Sequence, residues 1–496
     1  MAFRFTPAAN PALTAEVAGV IDGDTIRVIL PRAMSVTSLA ATFSFSTPGA
    51  TLRVSGATQR SGSSRVNFTL PVRYELASSS GSVRAYIVDV TVFTGLPIVS
   101  ITTEGGAPIL TREDYVRAVI EIFGGKERPE HTISATTEIR GRGNSTWSNP
   151  KKPYRLKLTT ASSLFGFPAD RDWTLLANYW DQSLVRTALA FELSRLVGMP
   201  YTPRCTAVEF VLNGQHQGSY QLCEHMEVAA QRIPATTGWL LAIDDLPRLE
   251  PTDVVFHSPR LDAWSMESDP NPSVWVYKQP DAPTATQRAA IEAELLGFEA
   301  LLYGEGFAHP DTGYAKDLDV DAAIGWYLVQ ELLKNSDAAF FKSVFVYKAP
   351  QGRITIGPVW DFDLAGGNYP YDAGPTGWKI RNSAWIARLF EDRAFIDRIK
   401  LRWRALYAQR AEVDAFIVTY AARLRLSEGP NHALWFPYGP LPLLQAGDLT
   451  ADLRAAPVVR TRTSEGALVD YAGQVGTLRA WMNARWSWLN AGILDL

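Results

Sequence analysis

Cysteine is nearly missing from this 496-residue chain: only Cys205 and Cys223 occur, and the six histidines show no paired spacing. With no CxxC pair, a structural zinc site is not expected, and at most one disulfide could form. Long apolar runs are missing too. No stretch of eighteen apolar residues exists to cross a bilayer as a helix, and the first twenty residues lack the continuous apolar segment of a secretion leader. The expectation is a soluble product of cytoplasmic synthesis with no membrane span. Nor does one sign of charge dominate. Lys and Arg number 48 against 51 Asp and Glu, a formal net charge of -3, so no overall basic field recommends a nucleic-acid partner. HExxH, GxSxG and Walker A patterns are all absent, which removes the commonest metalloprotease, serine-hydrolase and P-loop readings.

What is present is an ordinary globular balance, 46% hydrophobic and 20% charged, in a chain long enough for two to four domains or lobes. Residues 1–96 read as all-β. Short β-branched runs at 25–30, 42–46, 51–55, 66–70 and 83–92 alternate with turn residues, and this spacing predicts an immunoglobulin-like β-sandwich. Asp22-Gly-Asp24 lacks the remaining ligands of a calcium loop and reads as a hairpin turn. A boundary falls at 94–97. Residues 97–283 mix strands with a helix near 183–197, whereas residues 284–496 turn helical, with apolar stripes such as Val320, Ile324, Tyr327, Leu328 and Leu332. Two further stripes are Ile396, Ile399, Trp403 and Leu406, and Val475, Leu478, Met482, Trp486 and Leu489. The predicted class is therefore α+β, a two-lobed body behind an N-terminal sandwich.

The chemistry concentrates around one predicted hairpin. Residues 343–348 and 353–357 are β-branched and aromatic and flank the turn Ala349-Pro-Gln-Gly352. A hairpin would bring Asp337, just before it, close to Asp361, just after it. Phosphoryl transfer needs such a pair, one carboxylate to orient the attacking hydroxyl and one to hold a metal on the phosphates, and protein kinases present them in this order. Asp361 and Asp363 are one residue apart and would repel on one strand face unless a cation lay between them. Magnesium, held by few carboxylates plus phosphate oxygens, would relieve that repulsion. A glycoside hydrolase needs its carboxylates on opposite sides of a sugar, which two residues of one ribbon cannot supply.

Two other stretches bear on phosphates. Gly141-Arg-Gly-Asn-Ser-Thr146 is a small-residue loop between predicted strands, where backbone N–H groups could approach an anion. Lys157 projects from the polar side of its strand, and Glu192 falls on the otherwise apolar stripe of the helix near 183–197. An inward carboxylate needs a partner. Lys157 is one candidate and Lys152 its competitor at the phosphates, while Arg195 could satisfy Glu192 locally at i+3.

Taken together, Arg140-Gly-Arg-Gly-Asn-Ser-Thr-Trp147, Lys151-Lys-Pro-Tyr-Arg-Leu-Lys157, Asp172-Trp-Thr-Leu-Leu-Ala-Asn-Tyr179, Arg186-Thr-Ala-Leu-Ala-Phe-Glu192, Tyr220-Gln-Leu-Cys-Glu224 and Gly357-Pro-Val-Trp-Asp-Phe-Asp-Leu364 resemble the spore-coat protein H (CotH) kinase family. The resemblance runs from about residue 98 to the C-terminal helix. It implies a two-lobed, atypical protein-kinase-like fold that uses ATP with Mg2+ or Mn2+ and phosphorylates Ser or Thr of a protein, such as a coat or surface protein. It further implies Asp337 as the catalytic aspartate, Asp361 as a metal ligand and Asp363 as a second one. Arg140, Gly141, Gly143, Asn144, Ser145 and Lys152 or Lys157 would face ATP, with Glu192 as the helix glutamate. Lys342 stands where kinases place a metal-binding Asn, and Ser343 follows it. Some relatives act as adhesins, so the alternative is an inert coat, surface or virion binding protein on a kinase-like body.

Overall fold

Alternating apolar residues build three β-rich regions in succession, and the helices that follow cover the third. The computed structural model describes residues 2–13, 16–30, 36–46, 49–92, 94–124, 132–268, 272–435, 461–462 and 468–496. In the first region the strand Val83–Val92 lies antiparallel to Val72–Ala77 and parallel to Thr25–Leu30, within a six-stranded sheet. Its inward residues Ile26, Val28, Tyr74 and Val88 share one core with Phe3 and Phe5 of a three-stranded sheet. Asp22 pairs with Thr25 across Gly23 and Asp24, so this step is a hairpin turn, with Gly23 at φ +58°. The strand expected at 66–70 shrinks to Arg65–Val66, because Phe68 leaves the ladder to fill the core.

The second region is a closed seven-stranded barrel. Its strands follow the order Ile98–Thr103, Val116–Phe123, Thr132–Gly141, Tyr154–Ser162, Asp170–Leu176, Gln215–Glu224 and Cys205–Leu212. Parallel pairing of Ile98–Thr103 with Cys205–Leu212 closes the ring. Every second residue turns inward, so Val99, Ile101, Ile120, Ile122, Leu156, Leu158, Val208 and Phe210 fill the interior. Leu212 pairs with Gln215 across Asn213 and Gly214, both at positive φ (50° and 78°), as a two-residue turn matching strand twist requires. Cys205 and Cys223 face each other across neighbouring strands as free thiols.

Helix α1, Arg186–Leu196, leads out of the barrel and back to it. A five-stranded sheet follows, ordered Val255–Phe256, Ser273–Gln279, Trp239–Asp245, Val344–Lys348 and Thr355–Ile356. Trp239–Asp245 pairs on one side with Ser273–Gln279 and on the other with Val344–Lys348. The sheet therefore draws strands from both sides of residue 283, the position expected to separate two lobes.

Around this sheet pack α2 (Pro259–Ser268), α3 (Ala285–Leu302), α4 (Val320–Leu332), α5 (Ala384–Leu389), α6 (Arg393–Ala408), α7 (Arg410–Leu424), α8 (Glu428–Trp435) and α9 (Tyr471–Leu494). The result is a mixed α+β chain behind a β-rich N-terminal region. Helix α4 is buried on every face from Ala322 to Leu332, and the Asp319 side chain caps its first turn by accepting from the Ala322 N–H. Helix α6 turns Phe395 inward rather than Ile396, together with Ile399, Trp403 and Leu406; α9 buries the five residues expected of it. No helix among the described residues is long and apolar enough to cross a membrane.

A buried ion pair fastens α9 to α4. Arg485 Nη2 donates to Glu331 Oε1 at 2.6 Å, and its Nη1 donates to the carbonyls of Pro375 and Gly377 at 2.9 and 2.7 Å. The Glu331 carboxylate also accepts the backbone N–H groups of Lys379, Ile380 and Arg381. Removing one partner strands the other charge in the core. Arg485→Met should therefore lower unfolding free energy by about 3–5 kcal/mol. In urea denaturation, a loss well under 1 kcal/mol would show the pair to be dispensable.

Candidate functional site

The predicted hairpin forms, with Val346 opposite Ile356, Tyr347 opposite Thr355, and the Gly352 N–H donating to the Ala349 carbonyl at 2.9 Å. It gathers the two acidic segments. Helix α4 ends at Leu332 and hands the chain to Asn335, whose Nδ2 donates to the Asp361 carbonyl at 3.0 Å. From the other side Ser343 Oγ donates to Asp361 Oδ2 at 2.9 Å. Asp361 itself sits at φ +67°, and Phe340 and Ser343 are also left-handed, at 62° and 57°. Such backbone costs about 1–3 kcal/mol per residue and persists only where surrounding bonds hold it.

Asp361 and Asp363 line a cavity of about 190 Å³ together with Arg142, Gly143, Asn144 and Ser145 of the glycine loop. Asp244 and Lys278, on strands of the five-stranded sheet, form another wall. Asp337 does not line this cavity but feels the charge of Asp361, which does. Burial first, and then the Asp361 charge, raise its carboxyl above the usual range, while Lys342 and Arg248 pull it back down. Asp363 is driven further up by burial and by Asp361, Asp181 and Asp337. Burial lifts Asp244 to about 6. Neither Asp361 nor Asp363 makes an ion pair among the described residues. Crowded carboxylates offer the all-oxygen set that a hard divalent cation takes, in a cavity that Arg142, Arg248 and Lys278 also line.

The loop's glycines are required by the loop itself. A Cβ on Gly143, at φ +81°, would lie 2.0 Å from Thr146 Oγ1, and one on Gly141 would lie 2.5 Å from the Trp147 ring. Arg112 Nη1 pins the turn by donating to the Gly143 carbonyl at 2.9 Å and to Asn144 Oδ1 at 2.5 Å. Arg142, its guanidinium 5.6 Å over the Trp360 ring, turns into the cavity, and the Asp361 charge partly offsets the burial that lowers its pKa.

Several expected residues stand elsewhere. Arg140 lies over Tyr115 and 4.0 Å from Glu250, and neither it nor Gly141 lines the cavity. Lys152 Nζ donates to the Trp147 carbonyl at 2.5 Å and sits on that ring, bracing the loop from behind. Lys157 pairs across strands with Glu138 and Asp172 on the outside of the barrel and lines a separate depression. Glu192 is held by Arg195, whose Nε donates to it at 3.0 Å, at the edge of a third depression. The Lys157–Glu192 pair is thus corrected. Helix α1 is buried over most of its circumference, so its apolar stripe does not define one inward face, and Glu192 emerges at the margin beside its local partner.

Of the two loop arginines it is Arg142, one residue beyond the end of the strand at Gly141, that lines the cavity, together with Arg248 and Lys278. Asp244 was missed with its strand, although the run Trp239-Leu-Leu-Ala-Ile-Asp244 is plainly apolar. Arg186 stands in a motif of the resemblance, but the sequence assigns it no role. Its Nη1 donates to Asp181 Oδ1 at 2.6 Å, and its Nε and Nη2 donate to the carbonyls of Ala365 and Gly366, just after Asp363.

A family model described as CotH kinase protein matches residues 139–425, and one described as SGBP, N-terminal, matches residues 9–90. The comparison with curated proteins finds no match. Among solved structures the chain is similar to a protein from Bacteroides thetaiotaomicron described as a candidate glycoside hydrolase, at 15% identity and a TM-score of 0.16. That likeness covers 52% of this chain and 77% of that one and carries no argument.

Behind the loop, Lys151 is wholly buried, donating to the Ser219 carbonyl at 2.5 Å and to Asn431 Oδ1 at 2.7 Å. Desolvation lowers its pKa to about 7 from the usual lysine value. Between these two values the unfolded chain binds a proton that the folded chain does not, so stability should rise with pH across that window, by up to about 1.4 kcal/mol per unit. Below about 7 this contribution is flat. Lys151→Met should erase the slope, read as the difference in unfolding free energy between variant and parent from neutral to alkaline pH. A difference independent of pH would refute the depressed lysine.

Proposed function

The chain belongs to the CotH kinase protein family, and from that premise we propose that it is an atypical protein kinase moving the γ-phosphate of ATP to a Ser or Thr of another protein. The observation that carries the reading is the meeting of the glycine loop with Asp361 and Asp363 in one cavity, with Asp337 feeling the charge of Asp361. In this reading the barrel with α1 and the sheet with its helices are the two lobes of a kinase-like body, and the N-terminal layers are an immunoglobulin-like module.

Asp337 orients the acceptor hydroxyl and takes its proton, a role its raised pKa suits. Asp361 and Asp363 would hold Mg2+ or Mn2+, which would neutralise phosphate charge. Arg142 and the N–H groups of Gly143, Asn144 and Ser145 face the phosphates. Asn335 and Ser343 fix Asp361 in its strained backbone state. The acceptor is a coat or surface protein, and the near-neutral charge of the chain gives no support to a nucleic-acid partner.

Asp337→Ala should abolish phosphate transfer while leaving nucleotide binding within a few-fold, checked with labelled ATP, manganese and a cell lysate as acceptor. Retained activity would refute the role. Arg142→Ala should weaken ATP binding by about 10- to 100-fold, the loss of a charge-assisted hydrogen bond worth about 1.5–3 kcal/mol. ATP with Mn2+ at 100 times its Kd should stabilise the parent by about 2.7 kcal/mol. No thermal shift over a broad concentration range would favour the inert binding protein instead.

A further inference from the structure

We propose that Cys205 and Cys223 form an oxidative modification site: hydrogen peroxide converts the two facing thiols into a cross-strand disulfide, and Gln221 carries the change to the wall of the cavity. These are the only two cysteines of the chain. They stand opposite each other in register on the neighbouring barrel strands Cys205–Leu212 and Gln215–Glu224. One residue beyond them the Glu224 N–H donates to the Arg204 carbonyl at 3.0 Å. That bond makes 204 and 224 a hydrogen-bonded pair, and the two kinds of pair alternate along an antiparallel ladder, so Cys205 and Cys223 occupy a non-hydrogen-bonded one. In such a pair the Cα atoms approach to about 4.5 Å and the side chains converge. This lies within the span of about 4.4–6.8 Å that a disulfide bridges.

The two thiols are not equivalent. Cys223 is fully buried, and burial first, then the adjoining Cys205 thiol, push it well above the usual thiol value. Cys205 is half-buried and lines a depression bounded by Tyr201, Arg204, Tyr420 and Arg423, so it is the thiol that a dissolved oxidant reaches. In the first step the Cys205 sulfur takes one hydroxyl of hydrogen peroxide. The S–O bond forms, the O–O bond breaks, and the departing hydroxide leaves as water with the Cys205 proton. In the second step the Cys223 sulfur attacks the Cys205 sulfur. The S–S bond forms, the S–O bond breaks, and hydroxide leaves as water with the Cys223 proton. The two sulfurs together lose two electrons, and the peroxide oxygens gain them.

The link to the cavity is one amide side chain. Gln221 Nε2 donates to Cys205 Sγ at 2.8 Å, and Gln221 Oε1 accepts from Asn178 Nδ2 at 3.1 Å. Asn178, at φ +48°, lines the same cavity as Asp361 and Asp363. Closing an S–S bond of about 2.05 Å draws the Cys205 sulfur toward Cys223. The amide held between that sulfur and Asn178 then shifts or lets go of one of them. Gln221 is thus a positioning residue through which the oxidation state of the pair acts on one wall of the site.

The test uses the full chain, which holds no other thiol, and both of its readouts are independent of phosphate transfer. The folded protein is treated with hydrogen peroxide, then denatured and alkylated, and its intact mass is measured. The reduced parent should take up two alkyl groups and the oxidised parent none, with dithiothreitol restoring both. Cys223→Ser should stop at a Cys205 sulfenic acid that dimedone traps. Two alkylated thiols in the treated parent, or a covalent dimer in place of the internal bond, would overturn the inference. Amide hydrogen exchange around Asn178 should rise severalfold in the oxidised parent and stay unchanged in peroxide-treated Cys205→Ser. Equal or slower exchange in the oxidised parent would overturn the role given to Gln221 and leave the disulfide standing.

Discussion

A guanidinium and a carboxylate buried together at the start of α1 hold the acidic segment where it can act. Arg186 and Asp181 are 3% and 1% exposed, and their charge-assisted bond of 2.6 Å is reinforced by the Arg186 backbone N–H, which donates to the second Asp181 oxygen at 2.7 Å. With its remaining N–H groups Arg186 reaches the carbonyls of Ala365 and Gly366. One side chain thus ties the helix that leaves the barrel to the backbone that carries Asp361 and Asp363. A buried pair of this kind contributes little net stability against an apolar substitute, but it specifies one arrangement, since either partner alone would be stranded.

The site depends on that specification because its own groups repel. Asp181, Asp337 and Asp361 all act electrostatically on Asp363, and Asp361 acts on Asp337 as well. Left to themselves they would separate. Arg186 neutralises Asp181, Lys342 and Arg248 flank Asp245, and Asn335 and Ser343 clamp Asp361 at positive φ. The glycine loop is braced from outside by Arg112 and from behind by Lys152, so the wall it presents to the cavity is set by packing rather than by a ligand.

The hairpin and the acids at its ends were legible because β-branched runs around a Pro-Gln-Gly turn are a local code, and closing a short ribbon fixes where its flanks go. The apolar stripes of α4 and α9 were legible for the same reason. The reading failed where a residue's meaning depended on a distant surface. Glu192 carries no mark of whether α1 will be covered on one side or most of the way round. Arg140 and Arg142 differ only in whether each lies within the ladder or beyond its end, which set which guanidinium entered the cavity. The strands 239–245 and 273–279 were hidden by a Pro- and Asp-rich neighbourhood, and Asp244 was hidden with them.

The sequence by itself determined the hairpin, the apolar stripes of α4 and α9 and the family, since each of these rests on spacing along the chain or on ordered motifs within it. Tertiary structure alone decided which charges and carbonyls the distant cations meet: Arg142 at the cavity, Lys342 on Asp245 and Arg186 under the acidic segment. The reason is physical. Periodicity fixes the face from which a side chain leaves its element, but the charge it meets there belongs to a segment many residues away, brought in only when the cores close.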